Sequence, residues 1–296
     1  MPHAFSPSRP KPAPSVRRGR RRALACAGAL LASVTTLLSV GTAHAAPAHA
    51  APATAPATTP QGKPRVTAAV LGLDDGSRRP TLYGEDAAYD TASIIKVDIL
   101  ATLLLQAQDA GRHLTAQERA HAEPMIKSSD NAAANALWRQ IGQATGLESA
   151  NKRLGLTATK GGPGARWGLT RTTASDQIRL LRAVFDGQGT ASGPKTASSA
   201  LTEESKAYIR TLMTRIQSDQ AWGVSAASGT QWALKNGWLQ RNTSGLWDVN
   251  SVGRITVNGH HYLVAVLSDG SRSMDEGVTL VERTARQAIA AATAGN

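Results

Sequence analysis

The sequence predicts an α/β (α+β) fold: an antiparallel sheet built from both chain ends, flanked by helices, with an all-helical lobe inserted in it. Strand-like periodicity near Arg65 and again after Gly229 brackets a helical middle, and strands at the two ends of a folded region are most simply joined in one sheet. Residues 92–111 are apolar almost all round over three turns with no internal Gly or Pro, which reads as a buried helix ended by Gly111. Asn258-Gly259, set between two strand-like runs, is the strongest short hairpin signal in the chain.

The elements follow in order. Residues 1–45 carry a basic region ending in Arg17, Arg18, Arg20, Arg21 and Arg22, an apolar run from Ala23 to Val40, and the small-residue sequence Ala43-His44-Ala45, the pattern of an export signal by a Sec or Tat route. Cys26 stands near the start of the apolar run rather than after it, which disfavours a lipid anchor. Residues 46–63 are mostly Ala, Pro and Thr, too poor in large apolar groups to offset their ordering entropy, and read as a linker. Residues 64–296 form the folded domain. Two short apolar runs about Asp74-Asp75-Gly76-Ser77 indicate a first hairpin. The helical lobe spans about 92–170, with the stretch 116–168 broken at Pro124, Gly142, Gly146, Gly155 and the loop of residues 160–168, KGGPGARWG. Thr173, with Asp176 three residues on, caps a helix over 174–185, and Thr202 caps another over 203–216. Strands are expected over 231–240, 246–257 and 262–269, and a closing amphipathic helix over 273–293 with acidic residues in its first turn.

Composition excludes several function classes. Lys+Arg 33 against Asp+Glu 21 is a basic balance, but residues 1–45 hold seven basic residues and no acidic one. Without them 26 basic residues face 21 acidic ones, an excess that permits attraction to an anionic cell wall without requiring it. No basic stripe interleaved with aromatics and no zinc-finger spacing supports nucleic-acid binding. The single cysteine leaves with the export signal, which removes disulfides, thiol nucleophiles and Cys-based zinc sites. His260 and His261, adjacent on a strand, are expected to point to opposite faces, so no metal site is expected, nor any cofactor. After signal removal no membrane span is expected, and the domain is read as a monomer.

Three groups of residues can carry chemistry. Ser93 and Lys96 open the buried helix, and residues three apart share a helix face, so the amine can reach the hydroxyl. Serine is a poor nucleophile until a neighbour takes its proton, and a lysine kept neutral by burial can do so. Ser128-Ser129-Asp130-Asn131 follows, and alone it could be an ordinary helix cap. Lys235-Asn236-Gly237 comes third, and alone its Asn-Gly could be a tight turn. Trp222, Trp232, Trp238 and Trp247 gather near the strands, as packing groups or as the lining of a substrate groove.

In this order, helix-start Ser-x-x-Lys, then Ser-Asp-Asn, then Lys-x-Gly on a strand, the set resembles that of the penicillin-recognising serine enzymes, the class A β-lactamases and related D,D-peptidases. The resemblance runs from about Arg65 to the last helix and implies roles at matching positions. Ser93 is implied as the acylated nucleophile, Lys96 as its proton acceptor and Ser129 as the relay to the leaving nitrogen. Asn131, Lys235, Asn236, Gly237 and Trp238 are implied as substrate-binding residues, with the backbone N–H groups of Ser93 and Trp238 as the oxyanion hole. Asp130 is read as structural.

The departures matter as much. No acidic residue occurs between Glu148 and Asp176, where a class A enzyme carries the glutamate that positions the deacylating water. Asn236 stands where a hydroxyl residue is usual, Ser93 and Ser129 are only 36 positions apart, and the Ala/Pro linker replaces the usual first helix. The expected function is a secreted or wall-associated serine hydrolase that opens β-lactam rings, with slow deacylation. A D,D-carboxypeptidase acting on peptidoglycan stem peptides, and a non-turnover module that binds or senses wall peptides or β-lactams, are the alternatives.

Overall fold

The computed structural model describes residues 62–74, 79–186, 200–229 and 231–294. The export segment, nearly all of the linker and the first hairpin's tip at Asp75-Gly76-Ser77 lie outside the described residues. Strands β1 (Arg65–Gly72), β2 (Thr81–Tyr83), β5 (Trp232–Gln240), β6 (Trp247–Val257) and β7 (His260–Ser271) form one sheet in the order β2-β1-β7-β6-β5, every neighbour antiparallel. β1 pairs with β7 from Arg65↔Asp269 to Gly72↔Tyr262, so the two ends of the domain meet at the sheet centre, as the sequence suggests. The turn between β6 and β7 has Asn258 at φ 50° and Gly259 at φ 82°, the left-handed pair that a two-residue hairpin needs. Strands β3 (Tyr89–Asp90) and β4 (Arg171–Thr172) form a second, small sheet.

Both faces of the large sheet are covered, which is why β1 reads as a nearly continuous apolar run. Ala69 and Leu71 pack into the main core beneath the helical lobe, while Ala68 and Val70, pointing the other way, pack under α7 (Met274–Ala294) against Val281, Ala285 and Ile289. Between the sheet strands come α1 (Ile95–Asp109), α2 (Ala116–Lys127), α3 (Asn131–Gln140), α4 (Gln143–Leu154), α5 (Ala174–Phe185) and α6 (Glu203–Met213). Helix α1 is the lobe's axis, with Ile95, Ile99, Leu100, Leu103 and Leu105 all buried. Thr173 and Thr202 cap α5 and α6 by accepting from the N–H groups of Asp176 (3.2 Å) and Ser205 (3.3 Å). No described helix is long and apolar enough to cross a membrane.

Four local expectations are corrected. The helix expected from Ala92 begins as a 3₁₀ turn, Ala92–Ile94, because Ala92 adopts φ 46° and interrupts the α geometry. Pro124 lies inside α2, where its carbonyl accepts from Ser128 N (3.1 Å), Ser128 Oγ (3.0 Å) and Asp130 N (3.1 Å); these bonds carry the chain through its last turn. Gly146 lies inside α4, where a Cβ would collide with the Ile141 carbonyl, so close approach rather than chain reversal explains the glycine. Helix α6 ends at Met213, short of the expected Ile216.

Candidate active site

Each candidate side chain is delivered by a different element. The 3₁₀ turn presents Ser93 and the first turn of α1 presents Lys96, so the two lie on one helical face with Lys96 Nζ 2.9 Å from Ser93 Oγ. Ser129 sits between α2 and α3 at φ 56°, a left-handed geometry uncommon for serine and costing about 1–3 kcal/mol. That geometry brings its carbonyl to 2.7 Å and its Oγ to 3.0 Å from Lys96 Nζ. Asn131, in the first turn of α3, places Oδ1 2.8 Å from the same amine. Asp130 is the N-cap of α3, accepting from Ala133 N at 2.7 Å.

Lys235 reaches the cluster from β5, its Nζ donating to Ser129 Oγ (3.0 Å) and to the Asn236 carbonyl (2.9 Å). Residues 235–237 pair with Val252, Ser251 and Asn250 in an unbroken ladder, so the Asn-Gly dipeptide here is strand and not turn. Gly237 is required by proximity: a Cβ there would lie 2.6 Å from Ser93 N and 2.8 Å from Ile94 N.

The two amines are fully buried, and burial lowers both pKa values. Lys96 falls to about 7, chiefly by burial and against the pull of Asp130. Lys235 falls well below the usual lysine range, by burial first and by the charge of Lys96 second. Both touch Ser129 Oγ, so two ammonium groups there would repel at short range and the pair favours a single proton.

A cleft of about 610 Å³ opens in front of Ser93, lined also by Asn131, Asn135, Arg166, Trp167 and Trp238. Lys96 and Lys235, both fully buried, do not line it. Asn236 departs from expectation. Strand alternation turns its side chain to the opposite sheet face, where Nδ2 donates to the carbonyls of Gln220 (2.8 Å) and Trp222 (2.9 Å). It therefore braces the 220–223 segment instead of reaching the cleft.

The contacts of Trp167, Glu148 and Asp176 were not foreseen. The Trp167 ring lies over Lys96, its centroid 4.8 Å from Nζ, and its Nε1 donates to Asn135 Oδ1 at 2.8 Å. Asn131 and Asn135 are four apart on α3, and that spacing was the one available signal. Glu148 holds the loop by accepting from Gly161 N (3.0 Å), and Asp176 holds its root by accepting from Ala158 N and Thr159 Oγ1 (2.8 Å each). The loop itself brings no carboxylate to the cleft. Trp238 lies 5.9 Å from Trp222, ring centre to ring centre, and Trp232 and Trp247 pack with them against the layer under α7. The histidines also depart from expectation. His260 Nδ1 (3.9 Å) and His261 Nδ1 (3.3 Å) both approach Asp74 Oδ2, because Asp74 accepts from His261 N at the strand's end and can meet both rings.

The profile of the Beta-lactamase enzyme family matches residues 105–292, a span that includes Ser129, Asn131 and Lys235 and begins after Ser93 and Lys96. Among curated proteins the chain is similar to "Putative lipoprotein LppW" of Mycobacterium tuberculosis and Mycobacterium bovis, 33% identical over 124 residues, 42% of this chain. The match spans only 39% of the length of those relatives. Among solved structures, PBP-A aligns with TM-score 0.63 at 20% identity, covering 80% of this chain and 93% of that one. The TLA-1 extended-spectrum β-lactamase aligns with TM-score 0.63 at 16% identity, covering 78% and 93%. A β-lactamase from Chitinophaga pinensis aligns with TM-score 0.61 at 15% identity, covering 75% and 92%.

Proposed function

Because the chain belongs to the Beta-lactamase enzyme family, we propose that it is an exported serine hydrolase that opens β-lactam rings through an acyl-enzyme on Ser93 and releases the product slowly. One observation carries this reading: Lys96 Nζ lies 2.9 Å from Ser93 Oγ and 3.0 Å from Ser129 Oγ, in a setting that holds the amine near neutrality. A neutral amine accepts the Ser93 proton as Oγ bonds to the lactam carbonyl carbon, and the ring C–N bond then breaks. Ser129, in contact with both lysines, passes a proton to the departing nitrogen. A substrate carboxylate near Lys235 favours the proton on that lysine and leaves Lys96 neutral. The N–H groups of Ser93 and Trp238 receive the oxyanion, and Gly237 lets β5 come close enough to Ser93 for this. Asn131 and Trp238, on the cleft wall, meet the acyl side chain. Export is read from residues 1–45, and the lipoprotein name of the mycobacterial relatives agrees with it.

A second reading, a D,D-carboxypeptidase on peptidoglycan stem peptides, is favoured by the loop that lacks a carboxylate, since acylation alone does not need one. Incubating the full chain with a chromogenic cephalosporin while following colour and intact mass separates the two. Sustained colour supports the β-lactamase reading. A long-lived adduct that is lost in Ser93→Ala, with D-alanine released from stem peptides, supports the peptidase. No adduct on any penicillin and no D-alanine release refutes both and leaves a binding module.

A further inference from the structure

Lys96 Nζ has no open side. Ser93 Oγ (2.9 Å), the Ser129 carbonyl (2.7 Å), Ser129 Oγ (3.0 Å) and Asn131 Oδ1 (2.8 Å) surround it. The remaining approach is covered by the Trp167 indole, centred 4.8 Å from Nζ. That ring is held in place: Nε1 donates to Asn135 Oδ1 at 2.8 Å, one helical turn beyond Asn131. The loop behind it is anchored by Gly162 N on Thr170 Oγ1 (3.0 Å) and Trp138 Nε1 on the Gly164 carbonyl (2.8 Å).

We propose that Trp167 is a positioning residue that shuts the Lys96 amine off from water and thereby sets the lifetime of the Ser93 ester. The proposal rests on the acyl-enzyme reading above. To release the acyl group, a water oxygen must bond to the ester carbon while the bond from that carbon to Ser93 Oγ breaks. The water proton must pass to a base and then to Ser93 Oγ. Glu148 and Asp176, the acidic residues flanking the loop, are engaged with Gly161, Ala158 and Thr159, which leaves Lys96 as the base adjoining the ester. With the indole on the last approach to Nζ, no water can hydrogen-bond there, and the ester persists.

The test uses the full chain, penicillin G and two variants. Adduct decay is followed by intact mass after excess penicillin is removed, so the half-life does not depend on how fast the adduct formed. Trp167→Ala is expected to shorten the half-life by about 10-fold or more, within the usual reach of a general base given access to water. Trp167→Phe keeps an aromatic cover and is expected to stay within about twofold of the parent, a rescue that a merely structural role would not produce. An alanine variant whose adduct lasts as long as the parent's, or a phenylalanine variant as short-lived as the alanine one, overturns the proposal. Should the parent form no adduct, the acyl-enzyme reading fails by itself, and labelling with acetic anhydride still decides the shielding. Lys96 should be acetylated faster in Trp167→Ala than in the parent and Trp167→Phe; equal rates in all three overturn it.

Discussion

On one side of the cleft, a 3₁₀ turn, a buried helix, a left-handed turn and a sheet strand bring Ser93, Lys96, Ser129 and Lys235 to one point, each linked to the next by a bond of 3.0 Å or less. On the other side, the loop from Leu156 to Thr170 offers Arg166, Trp167 and backbone, and its neighbouring acids serve to hold the loop itself. On the proposed reading, the first wall makes the ester and the second, without a carboxylate, is slow to break it. The acylating half of such a site can then be kept while the deacylating half sets how fast the ester is released.

The contrast can be broken most severely at the first wall. Lys96→Ala should lower the rate of adduct formation about 10²–10⁴-fold, the range of a lost general base. Stopped-flow or mass measurements on penicillin G would show it, and a variant acylating at the parent rate would refute Lys96 as proton acceptor. The second wall is sharpened by Trp167→Glu, which supplies the absent carboxylate; steady-state cephalosporin hydrolysis should rise about 10-fold, and an unchanged rate would mean that the loop is not what limits turnover. Gly237→Ala drives a methyl group toward Ser93 N and Ile94 N. Overpacking against backbone should remove about 1–3 kcal/mol of stability, read by urea unfolding, and slow acylation with it.

The smallest expected effect lies away from the cleft. Asp98, on α1 two residues beyond Lys96, is fully buried, and its carboxyl is pushed up to about 7 by burial, against the pull of Asn151 and with help from Asp176. A carboxyl raised in the folded state is proton-bound there while the unfolded chain has already lost its proton, so stability falls as pH rises from about 4 to about 7. Asp98→Asn should flatten that slope and add about 1–2 kcal/mol at pH 8. Equal pH slopes for parent and variant would show that Asp98 does not titrate in this range.

Much of the first wall was legible because it is local or periodic. Ser93 and Lys96 are tied by helical spacing, and Lys235 sits in β5, whose partner β6 is the first strand of the hairpin announced by Asn258-Gly259. Asn236 was misplaced because the motif pointed to the cleft while strand alternation turns it away. Pro124 and Gly146 were read as breaks because their local preference is to break; a carbonyl shared among three donors and a tight approach to Ile141 override it. The second wall was legible only as an absence. Trp167 and Lys96 are far apart in the chain, and their contact depends on how a glycine-rich loop folds back on α3 and α4, which no local pattern encodes.

The central claim, that a neutral Lys96 amine takes the Ser93 proton, is tested most directly by the rate of adduct formation on penicillin G as a function of pH. The rate should climb through a single inflection near pH 7, following deprotonation of Lys96, and level off above it. A rate that stays flat from pH 5 to pH 9, or one that falls across that range, would contradict the claim.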